Sequence, residues 1–159
     1  MRHLIDFGDL TRAEWESLYQ RCSDIMDHPA DFMDACRGRV MASLFYEPST
    51  RTNFSFQTAM LRVGGTVFGF ADPKSTSTAK GETLKDTIKM VSGYADVVVM
   101  RNPKEGAAKA ASLYSDVPVI NAGDGGHMHP TQTTADLTTI TLLRGKVDGL
   151  SVGLCGDLK

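Results

Sequence analysis

From residue 39 onward the chain alternates between two patterns. Short runs of β-branched, aromatic and aliphatic residues give way to longer stretches in which apolar positions recur every three or four residues. Residues 40–45, 66–70, 96–100 and 117–120 read as strands, and 50–62, 82–94, 104–114 and 131–143 as helices. An earlier helix opens with Thr11 as N-cap, Glu14 completing a capping box, and Leu10 and Trp15 spaced as a hydrophobic staple; it should run to about Met26. The 50–62 helix stops at Gly64-Gly65, where left-handed backbone costs little, and Leu84, Ile88 and Val91 mark one face of the next. Strands alternating with helices predict an α/β fold: a parallel sheet of about four strands flanked by helices on both faces. Residues 150–155 read as one more buried parallel strand with no crossover helix after it. The expected division is therefore a domain over 1–149, with 150–159 the first strand of a domain that is missing.

In such a sheet, ligands bind beyond the carboxyl ends of the strands. The first candidate lies there, in Phe45-Tyr46-Glu47-Pro48-Ser49-Thr50-Arg51-Thr52. A strand ends, Pro48 breaks it, and three hydroxyls and a guanidinium fall on the first turn of a helix. Free backbone N–H groups and the positive end of the helix dipole make this an anion site, where Arg51 can grip two phosphate oxygens at once. Capping by Ser49 or Thr50 is the structural alternative. It leaves Arg51 unexplained, because a cation in the first turn opposes the dipole by roughly 0.3–1 kcal/mol.

Arg101 follows the third strand, on the same sheet edge as Arg51, although strand-end arginines are often merely solvated. After the fourth strand comes a glycine-rich turn, 121–132, with His129 and Gln132 flanking a helix start. A helix N-terminus disfavours imidazolium, so His129 is suited to donate a hydrogen bond as a neutral group to a polarised carbonyl. The rival reading makes His127 and His129 metal ligands, but no third ligand has supporting spacing. The polar stretch 74–83, ending in Lys80-Gly81-Glu82-Thr83, has the composition of a solvated loop. No Gly-x-Gly-x-x-Gly follows any predicted strand, which argues against a dinucleotide site.

Composition narrows the classes further. At 159 residues, 42% hydrophobic and 23% charged, the chain can bury one full core. A net charge of −2 with no basic run argues against nucleic acid as partner. The amino terminus meets charge before any apolar stretch, and no run approaches a membrane span, so a cytoplasmic protein is expected. Cys22, Cys36 and Cys155 are odd in number and outside any Cys-x-x-Cys spacing, the pattern of reduced thiols.

Taken in order, Ser49-Thr50-Arg51-Thr52, Lys80-Gly81-Glu82-Thr83, Met100-Arg101 and His129-Pro130-Thr131-Gln132 resemble the first half of aspartate carbamoyltransferases. Ornithine carbamoyltransferases share the first element but usually carry cysteine at the counterpart of Thr131, and they lack the Lys-Gly-Glu loop. The resemblance implies that residues 49–52 and Arg101 bind the phosphate of carbamoyl phosphate, that Arg51, Thr52 and His129 hold its carbonyl oxygen, and that Gln132 accepts from its amino group. It implies a homotrimer of pyrimidine biosynthesis in which Lys80 and a loop serine, taken as Ser77 among Ser75, Thr76 and Ser77, enter a neighbouring subunit's site. No cofactor or metal is implied. L-Aspartate would bind only with the missing domain, leaving this chain weakly active or inactive alone. The alternatives are a non-catalytic module for a phosphorylated metabolite and a carbamoyltransferase acting on another amine.

Overall fold

The computed structural model describes residues 1–156 of the chain. Four parallel strands, β1 (Val40–Phe45), β2 (Thr66–Phe70), β3 (Val97–Asn102) and β4 (Val119–Asp124), lie in the order β2-β1-β3-β4. The helices are α1 (Arg12–Asp27), α2 (Thr50–Arg62), α3 (Leu84–Ser92), α4 (Ala107–Tyr114) and α5 (Pro130–Arg144). The α/β architecture expected from the alternating pattern is the one observed.

β1, β3 and β4 are apolar at successive positions because both faces of the sheet are covered there. Ala42, Leu44, Val98, Met100 and Val119 face α3 and α4, meeting Ile88, Val91, Ala108 and Ala111. Met41, Phe45, Val99 and Ala122 face the other way, with Met60 and Phe56 of α2. The two sets alternate along each strand, as the two-residue pleat requires.

Capping fixes the helix starts. Thr11 and Glu14 form the reciprocal capping box at α1. Thr83 accepts from the Asp86 N–H, so α3 begins at Leu84 and not at Glu82. At the end of α2, Gly64 takes φ +84 with the main chain of Met33 and Asp34 packed against it, a place where a Cβ would collide.

The strands at the carboxyl edge run further than the sequence pattern predicts. β3 continues through Arg101 and Asn102, and β4 through Asn121 to Asp124. The N-terminal segment also joins the sheet: Leu4 donates to Val119 at 2.9 Å and accepts from Asn121 at 2.8 Å, covering the β4 edge. Residues 150–155 do not form the strand predicted for them; they carry no regular secondary structure, are largely exposed and, among the described residues, have no neighbouring strand to pair with. Asp157, Leu158 and Lys159, the end of that predicted segment, lie outside the described residues.

Candidate functional site

The order β2-β1-β3-β4 places its reversal between β1 and β3. Connections leave these two strands in opposite directions, opening a crevice at their carboxyl ends. The β1 end leads through Glu47 and Pro48 into α2, and the β3 end carries Arg101, paired in register with Phe45.

Ser49 is the residue preceding α2, yet its side chain makes no capping hydrogen bond. Asn53 is the first to donate within the helix, to Ser49 O at 3.1 Å, so the N–H groups of the first turn stay open. Capping therefore does not account for the hydroxyl of Ser49. The turn is pinned from below by Asn53, buried at 5% exposure, which accepts from Ser43 Oγ at 2.9 Å and Gln57 Nε2 at 2.7 Å.

Arg101 is aimed by an irregularity in the ladder. Met100 pairs with Asn121 and Asn102 with Asp124, so two steps along β3 face three along β4. The surplus residue falls by Gly123, whose φ of +116 suits glycine. Arg101 Nη1 reaches Ala122 O at 3.4 Å, and its Nε donates to Glu47 Oε1 at 2.6 Å. A Cβ on Gly123 would lie 3.1 Å from Arg101 Nη1 and 3.5 Å from His129 Cδ2.

His129 precedes α5 and is half-buried, with Nδ1 3.3 Å from Thr131 Oγ1. Burial holds its pKa below the ordinary histidine value; the Arg101 charge lowers it further and Asp136 opposes both. The ring is thus kept neutral, with one nitrogen to donate. Gln132 Nε2 donates to Asp136 at 2.9 Å, leaving its carbonyl oxygen free to accept.

Arg51, Thr52, Arg101, His129 and Gln132 line one cleft of about 460 Å³, with Phe56 and Thr131 among its other walls. Ser49 and Thr50 stand at the same helix start without lining it. Ser77 and Lys80 are not brought there: both are exposed and border a separate hollow of about 630 Å³ beside Phe68 and Phe70. Two guanidinium groups meet in the cleft, and among the described residues only Arg101 has an acidic partner. Three or four donors converging beside a helix N-terminus are an arrangement that can hold a compact anion. Among the described residues no cluster of three His, Cys, Asp or Glu side chains is placed to hold a metal ion.

Residues 2–141 match the family model described as aspartate/ornithine carbamoyltransferase, carbamoyl-P binding domain. The chain belongs to this carbamoyltransferase family. It is 55% identical over 158 residues to the aspartate carbamoyltransferase catalytic subunit of Clostridium perfringens, covering 99% of this chain and 52% of that one. The Clostridium acetobutylicum subunit is 56% identical over the same shares. The aspartate transcarbamoylase of Trypanosoma cruzi, solved with carbamoyl phosphate and aspartate, superposes with a TM-score of 0.94 at 38% identity, covering 99% of this chain and 53% of that one. The catalytic subunit of M. jannaschii aspartate transcarbamoylase superposes with a TM-score of 0.85 at 47% identity, covering 94% of this chain and 49% of that one. The chain spans about half the length of the curated relatives it matches.

Within this carbamoyltransferase domain, sequence reasoning missed Glu47, Asn53 and Gly123. Glu47 and Gly123 sat inside segments already singled out, but their roles depend on an ion pair and a bulge that only the fold supplies. Asn53, a polar residue on the inward side of α2, was legible as a buried amide needing a partner. No helix among the described residues is long and apolar enough to cross a membrane.

Proposed function

We propose that this chain is the carbamoyl-phosphate-binding half of an aspartate carbamoyltransferase, converting carbamoyl phosphate and L-aspartate to N-carbamoyl-L-aspartate and phosphate in the cytoplasm. The observation that carries the reading is the convergence of Arg51, Thr52, Arg101 and His129 on one cleft at the sheet's reversal point. The phosphate would rest on Ser49, Thr50, Arg51, Thr52 and Arg101. The carbonyl oxygen would lie between Arg51, Thr52 and His129, and the amino group would donate to Gln132.

The neutral amine of aspartate attacks the carbonyl carbon, and negative charge grows on the oxygen. The C–O bond to phosphate breaks, phosphate departs into its cradle, and the amine nitrogen passes a proton to the departing phosphate. Fixed donors aimed at the growing charge supply the catalysis, with no covalent intermediate. A neutral His129 donates to that oxygen without taking up a proton of its own. The acceptor site would belong to the half of the relatives' length that this chain does not span.

In this reading Ser77 and Lys80 serve a neighbouring subunit of a homotrimer. Their distance from the chain's own cleft fits that arrangement, as do Phe54 (61% exposed) and Leu61 (58% exposed) on the outer side of α2. Calorimetry with carbamoyl phosphate and with inorganic phosphate tests the proposal: both should bind the chain, and Arg51→Ala should abolish binding. Unchanged binding in that variant refutes the cradle.

A further inference from the structure

Asp124 ends β4 and is 1% exposed, yet among the described residues it has no lysine or arginine partner. Its carboxylate is surrounded by donors. Oδ1 accepts from Met128 N–H and from Asn121 Nδ2, both at 3.1 Å. Oδ2 accepts from Gly106 N–H at 2.9 Å and lies 3.4 Å from His127 Nδ1. Asp124 N–H also donates to Met128 O at 3.1 Å, closing the turn 124–128 into a ring from which His129 emerges.

The two oxygens thus hold different loops. Oδ1 fastens the turn that delivers His129, while Oδ2 fastens Gly106, at the end of the loop that leaves β3 after Arg101. Gly125 N–H donates to Asn102 O at 2.9 Å, bringing the same two loops together a second time. Asn121, whose Oδ1 accepts from Gly123 N–H at 2.9 Å, joins the bulge to this network.

We infer that Asp124 is a positioning residue that sets the spacing between Arg101 and His129 by bridging their two loops through a buried, acceptor-only carboxylate. The role rests on the reading of the cleft proposed above and adds to it a residue outside the cleft wall. An amide cannot replace the carboxylate: with donors on both sides, asparagine must turn its own NH2 toward one of them and lose that loop. A displacement of about 1 Å at a binding group is enough to weaken or spoil a preorganised site.

The test compares the wild-type chain, Asp124→Asn and Ile88→Val, a core substitution in α3 that lies outside both loops. Inorganic phosphate binding is read by calorimetry and the His129 ring by NMR titration. Asp124→Asn should weaken phosphate binding by about tenfold or more and displace the His129 resonances, while Ile88→Val lowers Tm but leaves both unchanged. A folded Asp124→Asn chain with wild-type phosphate affinity and His129 signals overturns the role of Asp124 alone. A wild-type chain that binds no phosphate overturns the reading of the cleft, and this role with it. Should Asp124→Asn not fold, hydrogen exchange on the wild type decides: saturating phosphate should slow exchange at both Gly106 and Met128, and exchange indifferent to phosphate overturns the proposal.

Discussion

The Arg101 Nε lies 2.6 Å from Glu47 Oε1, with the two side chains 25% and 27% exposed, so the proposed anion cleft has a competing carboxylate beside it. Glutamine at position 47 keeps an oxygen to accept from Nε and so keeps the guanidinium oriented, while removing a negative charge next to the bound anion. At the dielectric of a partly exposed site that repulsion is worth about 1 kcal/mol, roughly fivefold in affinity. Glu47→Gln should therefore tighten inorganic phosphate by that factor in low-salt calorimetry, and equal or weaker binding contradicts the assignment.

Acid should destabilise the chain through His129. Its native pKa is depressed, chiefly by burial, so below the ordinary value near 6.5 the unfolded chain binds more protons at this site than the folded one. The contribution is complete above that value and is lost as pH falls toward the native pKa. Urea unfolding across this range should show stability dropping more steeply for the wild type than for His129→Gln. Asp136 opposes the depression, so Asp136→Asn should move the His129 NMR midpoint lower still.

Gly123→Ala combines two costs. Its φ of +116 is one that side chains rarely adopt, and the new methyl presses on Arg101 Nη1. We expect about 1–3 kcal/mol of lost stability from the backbone alone, measured by chemical denaturation, together with loss of phosphate binding. Wild-type affinity in this variant means that the bulge does not aim Arg101.

Asn53→Ala probes the support of α2. It leaves the buried Ser43 hydroxyl without its 2.9 Å partner. A deficit of about 1–3 kcal/mol in unfolding free energy should follow. A change under 0.5 kcal/mol means that Ser43 has found another partner.

Much of this architecture was legible as pattern. β1, α2 and β2 fall where hydrophobic periodicity predicts, because burial and the Gly64 stop act locally. β3 and β4 extend past their predicted ends because hydrophobic periodicity breaks at Arg101-Asn102 and at Asn121, Gly123 and Asp124. The backbone ladder continues through them while Arg101 lines the cleft and Asp124 holds its loops, so the pattern that marks a strand fades at the cleft. Arg51, Thr52, Arg101, His129 and Gln132 could be named from residue type and place at strand ends. Of their supports, Asn53 acts through near neighbours in sequence, whereas Glu47, Gly123 and Asp124 act through contacts between segments far apart, and no local pattern encodes those. The strand predicted over 150–155 had suitable residues but no neighbour, and a strand is made by its partner as much as by its own composition.

The mismatch of two steps against three at the β3–β4 edge acts as a phase shifter. Side chains alternate faces with each residue, so deleting one residue at Gly123 would regularise the pairing and invert the facing of whatever followed within the strand. Asp124 would then leave its nest of donors, and the turn that presents His129 would begin on the wrong side of the sheet. A shorter chain with a more regular sheet would thus be a poorer receptor, which makes the length of this loop, as much as the identity of its residues, something selection can act on.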